Sequence, residues 1–333
     1  MSDESLLTEA AARLFGDLAA KRDFGFAELW APVEEAGFPL LLVPEADSGF
    51  GGSWQDAFAV LRLAGYHALA CPVGEAIIAA WLLNRSGLDQ PEGLTTIAPR
   101  VEGILADGHF TGSVANVPWG GEAAAILAVR DGQLIVLAGS DAVRIEPHEN
   151  PADEARDTLH FADTAVASAP CDADLSALGA LIRTAQIAGA MDAALAQSIA
   201  YANEREQFGK PIGKFQALQQ NLAVFAEEAA AVNCAAQAAF AAAGKYDGAA
   251  EFEVAAAKLR ANMAIGVGTS TAHQVHGAIG FTKEYSLHPL TRRLWSWRSE
   301  FGNDRYWSQI LGQRVAGAGA DAFWRNLTDR SDP

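Results

Sequence analysis

The hydrophobic period of this chain changes twice, and that constrains its fold more than any single motif. From about Ser5 to Gly87, Leu6, Leu7, Ala10, Leu14 and Leu18 recur at three-to-four spacing, and the segments Phe58–Gly65 and Glu75–Leu83 do the same, which predicts helices. From about Leu94 to Ala169 the period becomes two. Asp131-Gly132 separates Ala125–Arg130 from Gln133–Leu137, and Asp107-Gly108 separates Ile104-Leu105 from His109-Phe110. Asp-Gly supplies both positive-φ residues of a two-residue hairpin turn, so two hairpins are expected, with a further strand around Thr158–Phe161. From about Asp174 to Gly317 the helical period returns in an alanine-rich stretch broken near Gly209-Lys210-Pro211 and Gly277–Lys283. Within it, Ala217–Ala243 is apolar around most of its circumference, as a helix buried on several sides requires. The expected fold is mainly α with a small β domain. An N-terminal helical domain spans residues 1–92, a middle antiparallel β barrel or sandwich 93–172, and a C-terminal four-helix bundle 173–333.

Charge excludes some partners. A net charge of −17, from 41 acidic and 24 basic residues, disfavours nucleic-acid backbones and anionic membranes. No stretch reaches the ~18 apolar residues of a membrane span, and Met1–Ser5 lacks the basic segment and apolar core of a secretory signal. Cys71, Cys171 and Cys234 are odd in number and far apart, which suggests neither a disulfide framework nor a CxxC metal site. A cytoplasmic location is expected.

Two segments carry chemistry: Arg205-Glu206-Gln207-Phe208-Gly209-Lys210-Pro211-Ile212-Gly213-Lys214-Phe215-Gln216, and Gln274-Val275-His276-Gly277-Ala278-Ile279-Gly280-Phe281. A guanidinium donates two parallel charge-assisted hydrogen bonds to a diphosphate, although Arg205 beside Glu204 and Glu206 also fits a plain surface cation. His273 and His276 share a helical face, but no third or fourth ligand stands nearby in a recognisable pattern, so no metal is expected. The G-x-G-x-x-G of a nicotinamide-binding unit is missing: Gly49-Phe50-Gly51-Gly52-Ser53-Trp54 fails at its last position, and Gly266-Val267-Gly268 lies inside a helical pattern.

These segments, and the order helices, small β domain, helices, resemble the acyl-CoA dehydrogenase family over nearly the whole chain. Pro44-Glu45 followed by the Gly51-Gly52 loop resembles its N-terminal domain. The resemblance implies FAD as cofactor, with Arg205, Phe208, Gln216, Gln274, Gly277 and Ala278 contacting a flavin shared with the neighbouring subunit. It also implies an acyl-CoA substrate, a carboxylate base for the α proton, and an electron-accepting flavoprotein. In one branch of the family the base directly precedes a Gly after an arginine-bearing helix. That place is held here by Phe301, with Glu300 one residue away and about 100° out of helical phase. In another branch the base falls near Gly179 and Ala180, but Ser176–Ala188 contains no acid and Arg183 is its only charge. The Thr-Glu-Pro segment of most relatives is replaced by Val117-Pro118-Trp119-Gly120-Gly121, where Trp119 fits a core position or a flavin neighbour. Loss of these elements beside the retained Arg205 segment, together with the aromatic run Leu294–Gly302, resembles the short subunits of heterotetrameric enzymes acting on steroid-CoA side chains. Three readings remain open: a subunit whose homologous partner supplies the base, a self-sufficient homo-oligomer using Glu300 as catalytic base, and a structural subunit that binds neither ligand.

Overall fold

The computed structural model describes residues 3–21 and 24–331, so Met1 and Ser2 of the opening segment lie outside it. The first zone folds as α1 (Asp3–Ala19), α2 (Phe26–Glu35), α3 (Trp54–Tyr66) and α4 (Val73–Arg85). The start of α3 is set locally. Asp56 N–H donates to Ser53 Oγ at 3.2 Å while Ser53 N–H donates to Asp56 Oδ2 at 2.7 Å, a reciprocal cap that satisfies two otherwise orphaned donors. Helix α4 is enclosed from Val73 to Leu83, which places even Glu75 in the interior.

The second zone has β1 (Thr95–Ile97), β2 (Arg100–Ala106), β3 (His109–Pro118), β4 (Ala125–Arg130), β5 (Gln133–Ala138), β6 (Arg144–Glu146), β7 (Arg156–Ala165) and β8 (Ala167–Pro170). Both Asp-Gly turns form as read, with φ of 50° and 76° at Asp107-Gly108 and 52° and 74° at Asp131-Gly132. One sheet runs β1-β4-β5-β8 and the other β2-β3-β7-β6, and residues from both, such as Ile126 and Phe110, share one core. The sandwich alternative therefore holds over the barrel. Its pairing is antiparallel except between β1 and β4, which run parallel.

The third zone has α5 (Leu175–Glu204), a hairpin of β9 (Glu206–Gln207) and β10 (Lys210–Pro211), α6 (Gln216–Lys245), α7 (Glu251–His276), α8 (Leu287–Ser299), α9 (Asp304–Ala318) and α10 (Phe323–Ser331). Asp174 caps α5 by accepting from Ser176 N–H at 2.8 Å and Ala177 N–H at 3.2 Å. The bundle is built from three long helices, α5 to α7, with the shorter α8 against them. Helix α6 departs from the sequence reading. Within this chain it buries one face, with Phe225, Ala229, Val232, Ala236 and Phe240, while Val224, Ala226, Ala230, Cys234 and Ala238 face solvent. A single apolar core joins the first helices, both sheets and the start of α5, and a second fills the rest of the bundle around Met191, Phe225 and Trp297. Among the described residues no helix is long and apolar enough to cross a membrane.

Candidate functional site

Chemistry-bearing residues gather at two places, one at each end of the bundle. The first follows from chain direction. Helix α5 ends at Arg205, whose carbonyl accepts from Ile212 N–H at 2.8 Å and closes the β9–β10 hairpin. Phe208 and Gly209 form the tip at φ of 53° and 79°, and Phe208 is 92% exposed, an aromatic that this chain's own core does not use. Phe208 meets Phe215 edge-on at 6.2 Å, and Lys210 Nζ lies 4.4 Å from the centre of the Phe215 ring. Gln216 opens α6, exposed. Because α7 runs back along α6, its last turn returns to the same end, where Gln274 Oε1 accepts from Asn221 Nδ2 at 3.0 Å. Gly277 follows at φ 62° and ψ −143°, a region only glycine adopts readily, with no atom within 4 Å of where a Cβ would stand. Ala278 is exposed beside it.

All six residues expected to contact a cofactor thus share one end of the bundle. Arg205 makes no ion pair among the described residues, despite Glu204 and Glu206 beside it in sequence. An exposed guanidinium with open donors, two glutamine amides and a backbone with no side chain in the way suit the diphosphate half of an FAD. The histidines serve this end structurally. His273 stacks on Phe281 at 4.0 Å, and His276 sits between Tyr201 at 4.6 Å and Tyr285 at 5.3 Å. Burial pushes the pKa of both down, which favours the neutral ring, and no cluster able to hold a metal exists among the described residues.

The second place lies where the first helices, the sandwich and the bundle meet. Arg183, buried in α5, donates from Nη2 to Glu75 Oε1 at 2.5 Å, from Nε to Glu300 Oε2 at 2.8 Å and from Nη1 to Gln186 Oε1 at 2.6 Å. Arg156 of β7 donates from Nε to Glu300 Oε1 at 2.9 Å and from Nη2 to Glu154 Oε2 at 2.9 Å. Arg293 of α8 donates to Glu154 Oε1 at 2.9 Å, and Asn150 Nδ2 donates to Glu154 Oε2 at 2.9 Å and Glu300 Oε1 at 2.8 Å. Three guanidiniums face three carboxylates, so the buried network is balanced in charge. Burial by itself would raise the Glu300 carboxyl, but Arg156 and Arg183, with the hydrogen bonds from Arg156 and Asn150, outweigh it and hold the group well below the usual carboxylate range. Burial would lower the Arg183 guanidinium, yet Glu75 and Glu300 raise it. Trp119 is a wall of this network, with Arg156 lying 5.1 Å from its ring centre. Sequence reading missed Glu75, Glu154, Arg156 and Arg293. Only Glu75 carried a signal, a lone charge inside the apolar run Val73–Leu83; Glu154 and Arg156 lie in the charged stretch 153–157 and Arg293 follows Arg292.

Helix α8 stops at Ser299, Glu300 caps it with an extended backbone, and Phe301 follows with φ of 51°, a left-handed conformation that is costly for a bulky residue. That reversal sends the Glu300 carboxylate to the arginines and the Phe301 ring onto α5. A Cβ on Gly179 would lie 2.1 Å from Phe301 Cδ1, so the glycine is the notch that admits the ring. The two positions where the family resemblance places a base, 179 and 301, are therefore in direct contact, and a phenyl ring joins them. A cavity of about 620 Å³ opens alongside, bounded by Arg100, Asn116, His148, Ser176 and Phe301. Arg205 is 22 residues beyond Arg183 along α5 and its cap, a rise of about 33 Å, so the two places are separate sites within one chain.

Comparison with known proteins agrees with this architecture. Residues 177–316 match the family model described as "Acyl-CoA dehydrogenase, C-terminal domain". The chain is 31% identical over 312 residues to acyl-CoA dehydrogenase FadE34 of Mycobacterium tuberculosis, with 85% of this chain aligned but only 42% of the length of that relative spanned. It is 27% identical to acyl-CoA dehydrogenase IpdE2 of Mycolicibacterium smegmatis, covering 83% of this chain and 84% of that protein. Among solved structures, a chain of the ChsE4-ChsE5 complex from Mycobacterium tuberculosis superposes with a TM-score of 0.86 at 22% identity, over 96% of this chain and 99% of that one.

Proposed function

We propose, on the match of residues 177–316 to the acyl-CoA dehydrogenase C-terminal domain and the 31% identity with acyl-CoA dehydrogenase FadE34, that the chain is one subunit of an FAD-dependent enzyme of that family and grips a flavin at a site whose catalytic carboxylate belongs to a related partner chain. Bound there, FAD would supply the acceptor for the hydride lost from the β carbon of an acyl-CoA thioester, while the partner's carboxylate would take the α proton. In this chain Arg205 would hold the diphosphate, Phe208 would cover the cofactor, and the amides of Gln216 and Gln274 would donate to it. Gly277 and Ala278 let the backbone approach closely.

The observation that carries the partner reading is the Phe301 ring against Gly179. No carboxylate occupies either position, and Glu300, the nearest acid in sequence, is fixed by two guanidiniums and is a weak proton acceptor. A second copy of this chain would bring the same phenyl ring and no base. A homologous chain with an acid at one of those positions completes the site. The solvent-facing apolar side of α6 supports association, since a helix of this composition gains from being covered on both sides. A cofactor bound only by the assembled state stabilises that assembly further.

The test is to purify the chain alone and with a longer homologous subunit, then to measure flavin absorbance and acyl-CoA turnover with an artificial electron acceptor. Bound flavin and turnover are expected only in the copurified complex. A yellow, active assembly of this chain alone overturns the reading.

A further inference from the structure

Lys258 of α7 is fully buried and makes no ion pair among the described residues. Its Nζ instead donates to Asn262 Oδ1 at 2.7 Å and to the main-chain oxygens of Trp297 at 2.9 Å, Arg298 at 3.2 Å and Gly302 at 3.2 Å. The first two of these carbonyls belong to the last turn of α8, where acceptors are orphaned and a cation is favoured by the helix dipole. The third lies beyond the reversal. One ammonium therefore ties both sides of the 299–302 turn together, and the turn holds the left-handed Phe301 whose carbonyl accepts from Trp307 Nε1 at 3.0 Å. Gly302 completes it at φ 102°, packed against the rings of Tyr306 and Trp307.

We infer that Lys258 is the positioning residue of this turn: its ammonium fixes the backbone so that the Phe301 ring seats in the Gly179 notch and the Glu300 carboxylate faces Arg156 and Arg183. Lys258 thus decides which side chain the wall of the adjoining cavity presents. The inference concerns this chain's own turn and does not depend on where the flavin binds.

A dependence on pH follows from the environment. Burial pushes the ammonium down to about 7; of the charges facing it, Glu300 and Asp304 favour the protonated form while Arg183 and Arg298 oppose it. These groups come from α5, the end of α8 and α9. Loss of the proton removes a donor and the charge that the carbonyls hold, so the grip on the turn weakens as pH rises through neutrality.

Amide hydrogen exchange on the full chain, or on its complex with the partner, reads this directly. After correction for intrinsic rates, protection of the 299–303 amides should fall several-fold between about pH 6 and about pH 8.5, with the amides of α7 unaffected. Lys258→Met should speed exchange of those amides by about tenfold at pH 6, corresponding to roughly 1.4 kcal/mol. Lys258→Arg keeps a charge at every pH and should retain protection without the pH response. Equal protection in Lys258→Met and wild type overturns the inference, as does an identical pH response in wild type and Lys258→Arg. If neither variant folds, the wild-type profile decides, and a flat one rejects the role.

Discussion

Replacing Glu300 by Gln separates a structural carboxylate from a catalytic one. In the structure the Glu300 carboxylate accepts from Arg156 Nε and Nη2, Arg183 Nε and Asn150 Nδ2 within a network of three arginines and three glutamates. Glutamine keeps the volume and one acceptor but leaves one buried positive charge unbalanced. Breaking one partner out of a buried ion network costs about 3–5 kcal/mol, and the retained carbonyl oxygen favours the lower end. Urea unfolding of the purified chain or complex should therefore move its midpoint down by about 1 M, taking a denaturant slope of about 3 kcal/mol/M. The pH dependence carries the same sign. The carboxyl is depressed from its ordinary 4.5, so its contribution is fully present above that value and drains away as pH falls below it. Wild type and Glu300→Gln should accordingly converge in stability under acid conditions. Turnover per bound flavin in the complex should stay within about threefold of wild type, because no transition-state contact is lost. Wild-type stability combined with abolished turnover would refute this reasoning and make Glu300 the base.

Arg205→Ala should weaken flavin retention in the complex by about 30- to 150-fold, the loss of a charge-assisted pair of about 2–3 kcal/mol, while unfolding of the cofactor-free chain stays unchanged because the side chain has no ion-pair partner among the described residues. Gly277→Ala forces a Cβ into a glycine-only backbone region and should cost about 1–3 kcal/mol in thermal unfolding, although the space around it is open. Gly179→Ala should destabilise by a similar 1–3 kcal/mol or so through overlap with Phe301, and adding Phe301→Ala should relieve part of that loss in a double-mutant cycle. Ala230→Glu, on the solvent-facing side of α6, should leave the chain folded by circular dichroism but release it from the partner on gel filtration.

Features that rest on short-range chemistry were legible in the sequence. The two Asp-Gly turns appear where their dipeptides stand because positive φ at both positions is a local property. The Arg205 and Gln274 segments meet because antiparallel helices of 30 and 26 residues return the chain to its starting end, and the breaks at Gly209 and Gly277 mark that end in the sequence. The ion network was hidden for the opposite reason. Glu75, Glu154, Arg183 and Glu300 are brought together by the packing of three zones, and residue type cannot distinguish a surface charge from one whose counter-ion lies over a hundred positions away. Helix α6 shows a third case. Its all-round apolarity predicts a helix buried on several sides, yet within this chain it buries one face, because composition does not say which surface covers which side.

The end of α8 shows how one residue of phase reassigns an acid. Had the helix continued through 300 and 301, the two side chains would diverge by about 100° and both would stay on its surface. Instead the helix stops at Ser299, Glu300 takes an extended backbone at ψ 141°, and Phe301 takes the left-handed region. A reversal of this kind costs about 1–3 kcal/mol and persists only when the surroundings determine it. They do so from both sides here: Lys258 holds the carbonyls of the turn, and the Gly179 notch accepts the ring. A carboxylate introduced at 301 alone would be pressed onto the apolar face of α5 beneath Arg183, which lies 5.2 Å from the ring centre. It would pair with that guanidinium and lose basicity, as Glu300 has. Restoring a base to this chain therefore requires changing the charges around the turn as well as the residue within it.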